Sequence, residues 1–135
     1  MTQTLAQRRA FFALERVAKH KSDGKYGRYL SYVEALPAAI RANGLGQAIA
    51  LELSRAASDP GHRALSEDVR DWLCGPDEIA PYRDHPEAHD ASGLLTAITK
   101  NDQRRYLRAQ AEALALLVWI KKFARAMLDR GDGRP

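Results

Sequence analysis

An all-α fold is what this sequence predicts, and three observations predict it. Ala and Leu dominate the apolar residues while Val, Ile and aromatics are few, which favours helix over strand by intrinsic propensity. Apolar residues recur at three- and four-residue spacing in one stretch after another, the period of a helix with one inward face. Turn-forming runs separate those stretches: Ser22-Asp23-Gly24, Asn43-Gly44, Ser58-Asp59-Pro60-Gly61 and Gly75-Pro76. With 135 residues, 45% of them apolar and 28% charged, the chain has the size of one domain able to bury a core without disulfides or metals. The expectation is a single helical domain over 1–135, a compact bundle of five to six helices with a long, largely buried C-terminal helix and a loop-rich, variable segment at 58–92.

Thr2 or Thr4 can cap a first helix that runs to about Lys21 and turns Ala6, Ala10, Ala13, Leu14 and Val17 inward. A second helix from about Lys25 buries Tyr29, Tyr32, Val33, Leu36 and Ile40. Pro37 lies inside it, costs roughly 3 kcal/mol in a regular helix, and predicts a kink or a restart. Asn43-Gly44 supplies a left-handed position that closes this helix, so Pro37, Asn43, Gly44 and Gly46 read as a structural corner. A third helix follows at once, with Leu45, Ala48, Ile49, Glu52, Leu53 and Ala56 along it. Leu65, Val69, Trp72 and Leu73 form the buried stripe of a fourth, stopped by Gly75-Pro76. Prolines at 76, 81 and 86 leave 77–89 as loop. Asp90 or Ser92 can cap a short fifth helix with Leu94, Leu95 and Ile98, and Asn101 or Asp102 begins a last helix reaching about Asp129. The middle of that last helix, Ala111 to Ile120, is apolar almost all round, as a central post would be.

The net charge of +4 is unevenly spread. Residues 1–58 carry nine Lys or Arg against four Asp or Glu, 59–99 carry three against nine, and 100–135 carry nine against four. Two basic ends around an acidic middle fit a nucleic-acid face and an acidic face for a protein neighbour, or simply solvated helix surfaces. Arg8, Arg9, Arg16, Lys19, Lys21, Lys25 and Arg28 on the first helix and its exit, with Arg104, Arg105, Arg108, Lys121, Lys122 and Arg125 on the last, could form one ridge for phosphates if the two helices are neighbours. Arg104 and Arg108 repel one another at a spacing of four, which suits phosphate binding; Arg108 and Glu112 read as an ordinary surface pair. Aromatic platforms in the basic segments are limited to Tyr26, Tyr29 and Tyr106, so base-specific reading of RNA is not expected.

Motifs for chemistry are few. His85 and His89 stand four apart, but Pro86 argues for loop and no third ligand is placed, so no metal or cofactor is expected. Cys74 is the only cysteine, excludes an internal disulfide, and reads as buried and inert. Gly44-Leu-Gly46 lacks the Lys-Ser/Thr of a phosphate loop. The N-terminus has no secretory pattern, and no run approaches about 18 uncharged apolar residues, so a cytoplasmic, non-membrane protein without enzymatic activity is expected. A helix-turn-helix DNA-binding regulator is the rival reading, with the 37–53 corner as its turn; its second helix carries only Glu52 and Arg55 as charged groups, poor equipment for base edges.

Three blocks carry a resemblance: Gln7-Arg-Arg-Ala-Phe-Phe-Ala-Leu-Glu-Arg-Val17, Tyr29-Leu-Ser-Tyr-Val-Glu-Ala-Leu-Pro-Ala-Ala-Ile-Arg-Ala-Asn-Gly-Leu-Gly-Gln-Ala48, and Tyr106-Leu-Arg-Ala-Gln-Ala-Glu-Ala-Leu-Ala-Leu-Leu-Val-Trp-Ile-Lys-Lys-Phe-Ala-Arg125. Together they resemble the small helical subunit family of the Cmr complex, the type III-B CRISPR RNA-guided effector of antiviral defence. Ser58 to Ser92 departs most from it. The resemblance implies a non-catalytic ribonucleoprotein subunit that stacks on its own copies, stands beside the backbone subunits holding the guide RNA, and lines the target RNA path. Arg41, inside the second block, is expected with Lys121, Lys122 and Arg125 to contact RNA phosphate or an adjacent subunit.

Overall fold

Thr4 begins the first helix as expected: its hydroxyl accepts from the Gln7 backbone N–H at 3.1 Å while the Gln7 side chain accepts from the Thr4 N–H at 2.8 Å. This reciprocal cap starts α1 (Leu5–Asp23) in a computed structural model that describes residues 2–85 and 91–128. Gly24, in the left-handed conformation at φ 69°, ends α1, and Gly27 at φ 52° delays α2 (Tyr29–Asn43) beyond the expected Lys25. α2 runs unbroken through Pro37 without the expected restart; the ring removes one backbone donor, and burial of Val33, Leu36 and Ile40 on either side holds the helix. α3 (Leu45–Ala56), α4 (Pro60–Leu73), α5 (Ala91–Lys100) and α6 (Gln103–Met127) follow, and the described residues contain no strand. Asp59 caps α4 through the Gly61 N–H, and Asp102 caps α6 through the Arg105 N–H. Asp90 and Asp129, the expected limits of α5 and α6, lie outside the described residues.

α6 is the post. It packs against α1, α2, α4 and, more lightly, α3, while α3 fills the other side against α4, α2 and α5. Ala109, Ala113, Leu116, Leu117, Ile120 and Ala124 of α6 meet Val17, Leu36, Ile40 and Leu73 in one core. Three apolar assignments are corrected, the first being Ala6, which is exposed. Leu14 is 44% exposed, and α1 instead turns Phe12, Ala13, Arg16, Val17 and His20 inward, because its neighbour α4 supplies carboxylates as well as apolar surface. On α6, Leu107 and Val118 are half exposed, so an apolar sequence all round does not mean burial all round. The loop after α4 is firmly seated: Tyr82 is fully buried and its N–H donates to the Leu73 carbonyl at 2.9 Å.

The α2–α3 corner is held from α6. Gly44 sits at φ 88°, ψ 158°, an extended mirror conformation that glycine adopts without penalty, and not the left-handed helical one expected. Past it, the Leu45 N–H donates to Gln110 Oε1 and the Gly46 N–H donates to the Tyr106 hydroxyl, both at 3.0 Å, satisfying two first-turn donors of α3. A Cβ on Gly44 would stand 2.8 Å from that hydroxyl; one on Gly46 would meet nothing closer than 3.8 Å. α3 is therefore covered by α4 and α5, and Glu52 is buried against His62, which removes the projecting recognition helix that DNA readout needs.

Buried charge locks the helices together. Glu112, 7% exposed on α6, takes a bidentate bond from Arg9 of α1 at 2.6 and 2.8 Å and a third from Trp72 Nε1 of α4 at 2.9 Å. Arg108 is exposed and is not its partner, which corrects the local pair read from sequence. Asp68 of α4, also buried, accepts from the Tyr29 hydroxyl at 2.6 Å and bonds His20 at 2.7 Å, with Arg16 at 3.4 Å. Burial and Asp68 together push the Tyr29 phenol well above its usual range. Between α3 and α4, Glu52 bonds His62, whose ring stacks on Tyr32 with centroids 3.5 Å apart.

The corner and the buried carboxylates each give a stability test. Gly44→Ala must carry a side chain at positive φ into Tyr106 and is expected to lose about 1–3 kcal/mol, while Gly46→Ala is neutral or slightly stabilising; thermal melts of the pair compare them directly, and equal losses would contradict the corner. The carboxylates act with opposite sign in acid. Burial tends to raise Glu112, but Arg9 and Trp72 outweigh it and hold the group below the usual range, so its contribution is present above the unfolded value and lost as pH falls through the folded one. Burial raises Glu52 further than His62 and Arg55 lower it, so its contribution is present below the unfolded value and lost as pH rises through the folded one. Denaturant titrations between about pH 3 and 6 are expected to show a shallower acid limb for Glu112→Gln and a steeper one for Glu52→Gln.

Candidate nucleic-acid interface

Cations of the first helix divide into two kinds. Arg8 bonds Asp77 at 3.0 Å, Arg9 bonds Glu112, and Arg16 contacts Asp68 and Asp71, so these three, counted as surface charge from the sequence, are internal ties. Lys19 and Lys25 remain exposed, as do Lys21 and Arg28. Much of the acidic middle is engaged as well: Asp68, Asp71 and Asp77 in these bonds, Asp84 with Arg105, and Asp59 with the Tyr32 hydroxyl. Charge asymmetry along the chain is thus largely cancelled in space, and what survives at the surface is a smaller set of unpaired groups.

On α6, the residues opposite its core stripe are Arg104, Leu107, Ala111, Val118 and Lys122, all exposed, with Arg108 and Arg125 on the two sides of that line. Glu112 is turned inward to Arg9, so Arg104 and Arg108 have no acidic partner among the described residues. Arg105 between them faces the other way, its Nη1 donating to both Asp84 oxygens at 2.8 and 2.9 Å. At the far end Lys122 is exposed, Lys121 half-buried, and Arg125 bonds Glu34 of α2 at 2.7 Å. The single ridge expected from the sequence is split: at about 1.5 Å per residue, Arg108 and Lys121 stand about 20 Å apart along the axis.

Helix directions group the rest. Glu34–Arg125 and Leu45–Gln110 make α2 antiparallel to α6, and the bonds from His20 and Tyr29 to Asp68 bring the end of α1 beside the start of α2. Lys19 and Lys25 therefore lie at the same end of the bundle as Lys121, Lys122 and Arg125, and Arg104 and Arg108 lie at the other. Arg41 is exposed seven residues beyond Glu34, which places it on the same side of α2 as the Arg125 contact and between the two ends. Two of the three possible base platforms are withdrawn: Tyr29 is fully buried, and the Tyr106 hydroxyl holds the Gly46 corner. What the arrangement can do chemically is neutralise phosphates at two separated places.

His85 Nε2 accepts from Asn101 Nδ2 at 2.9 Å; His89, its possible metal-binding companion, lies outside the described residues. Among the described residues no group of three His, Cys, Asp or Glu could hold a metal, and no helix is long and apolar enough to cross a membrane. Cys74 is buried.

A family model for the CRISPR-associated protein Cas_Cmr5 matches residues 5–127. A protein of Thermus thermophilus named CRISPR system Cmr subunit Cmr5 is 32% identical over 109 residues, 81% of this chain and 82% of its own length. The crystal structure of a CRISPR-associated Cmr5 family protein, also from Thermus thermophilus, superposes with a TM-score of 0.76 at 29% identity, covering 94% of this chain and 100% of that one. The fold-level match and the sequence match from α1 to the end of α6 agree: the chain belongs to the CRISPR-associated Cmr5 family.

Proposed function

We propose that this chain is a non-catalytic small subunit of a type III-B CRISPR RNA-guided effector, acting in the cytoplasm as a single helical domain in antiviral defence. It stands beside the backbone subunits that hold the guide RNA, adjoins copies of itself, and lines the path of the target RNA. Guide and target are met through phosphates, by Arg104 and Arg108 at one end of the bundle and by Lys19, Lys25, Lys121, Lys122 and Arg125 at the other, with Arg41 between. The observation that carries this reading is the separation of internal from external charge. Every buried carboxylate among the described residues has a partner inside the fold, whereas Arg104 and Arg108 are a repelling pair with no counter-charge there. A side chain retained in that state is best satisfied by an anion from outside.

The chain's role there is one of shape and charge and not of bond breaking. Isolated binding is expected to be weak and useful only through repetition in an assembly. For single strands the logarithm of affinity falls by about 0.7 per phosphate contact per tenfold rise in salt. Arg104→Ala/Arg108→Ala is therefore expected to lower the salt slope of target RNA binding by the reconstituted complex by about 1.4, and Arg125→Ala, already paired to Glu34, by much less. A double variant with an unchanged slope, or a chain that fails to join the complex, would contradict the proposal.

A further inference from the structure

One part of the surface is unlike the cationic ends. Between the N-terminal half of α1 and the end of α4 lies an open cleft of about 340 Å³, bounded by Phe11, Phe12, Trp72 and the Gly75–Pro76 turn. Phe12 and Trp72 form its floor as a tilted pair with ring centroids 5.1 Å apart, fixed in turn by the Trp72 bond to Glu112. Phe11, one residue before that pair, is 57% exposed at its edge. A large aromatic ring held at the surface over a preformed apolar floor is the composition of an anchor site.

Its rim has one sign. Glu15, Asp71 and Asp77 line the cleft, and Glu78 adjoins it beside Asp77 and Arg8. Arg8 is the one cation in the lining, and it is taken by Asp77; Arg16, whose guanidinium lies over the Phe12 ring 5.2 Å from its centroid, and Arg70 are both taken by Asp71. Glu15 and Glu78 are exposed and make no ion pair among the described residues. The cleft thus offers an apolar slot with uncompensated carboxylates at its mouth. Phosphates are repelled there, and an acidic protein segment is repelled equally.

We infer that the Phe11–Trp72 cleft is a protein-docking site, distinct from the RNA-facing cations, that takes an aliphatic or aromatic side chain from a basic segment of a neighbouring subunit, with lysine or arginine on either side of that anchor reaching Glu15 and Glu78. The volume suits one anchor residue and part of its neighbour, at the low end of the roughly 300–1,000 Å³ of small-molecule pockets. Aromatic walls supply the burial, and the two free glutamates supply register and direction. The inference rests on the chain being a subunit of a larger assembly and adds which face meets protein and by what chemistry.

Phe11→Cys, labelled with a benzophenone maleimide while the buried Cys74 stays protected, tests this in the reconstituted complex. Entry of the chain into the complex is scored first, separating failure of the subunit reading from failure of this one. The expected result is a crosslink to a different subunit, within a peptide bearing an aliphatic or aromatic residue flanked by Lys or Arg. Crosslinking to RNA, to a second copy of this chain or to an acidic peptide would overturn it, as would a complex containing the labelled chain and no crosslink. In parallel, the isolated chain is titrated with a short peptide carrying leucine between two arginines. Trp72 fluorescence is expected to respond, to respond at least tenfold more weakly in Glu15→Lys/Glu78→Lys, and not to respond to the same peptide with serine for leucine or to single-stranded RNA. If the chain does not enter the complex, this titration alone decides, and no response to the basic peptide overturns the inference.

Discussion

Glu112 is the constraint on which the fold turns. A carboxylate in the middle of the most buried helix is tolerable only if its lone pairs are filled, and the residues that fill them come from α1 and α4. One side chain thereby fixes the rotation of three helices about their axes. With α6 rotated to aim Glu112 at Arg9, its core stripe faces Ala13 and Val17, its Gln110 and Tyr106 reach the α2–α3 corner, and Arg104 and Arg108 are left outside. Apolar packing alone would accept neighbouring rotations at small cost; a buried bidentate pair accepts one.

The same pairing governs surface charge. Net charge counts predicted a basic head, an acidic middle and a basic tail, yet the head's arginines and the middle's aspartates neutralise one another across α1 and α4. The proposed function rests on the remainder. Unpaired cations are left at both ends of α6 and on the turn between α1 and α2, and unpaired glutamates beside the Phe11 cleft. The surface is consequently sorted into places that attract phosphate and a place that rejects it, although the linear sequence mixes the two signs within α1 itself.

Much of the fold was legible because its signals are local. Caps at Thr4 and Asp102, the turn at 58–61 and breaks at Gly24, Gly44 and Gly75 act within a few residues, so their chemistry can be read in order along the chain. Partner choice is not local. Arg108 and Glu112 have ideal helical spacing, but burial of the carboxylate beside a guanidinium 103 positions away dominates a surface pair worth a few tenths of a kcal/mol. Leu14 departs from expectation for a related reason: periodicity identifies a stripe, and only the neighbours determine which edge of it is covered. The cleft was invisible because Phe11, Trp72 and Pro76 belong to segments joined only by tertiary packing.

Rigid placement gives the exposed cations their value. A flexible basic tail would hold more charge for less structure, but each phosphate contact would then cost the ordering of backbone and side chain together. Arg104, Arg108 and Lys122 project instead from the same helix whose opposite face is the core, so their backbone positions are fixed before any strand arrives. Their spacing is fixed with them, two clusters separated by about 20 Å of helix that cannot shorten without unpacking the bundle. A strand spanning both clusters would pass over Ala111 and Val118, exposed between them, which offer its bases no side-chain hydrogen bond. Such a surface would select the course of a nucleic acid and ignore its sequence, which is the division of labour that the proposed subunit role requires of a part that does not carry the guide.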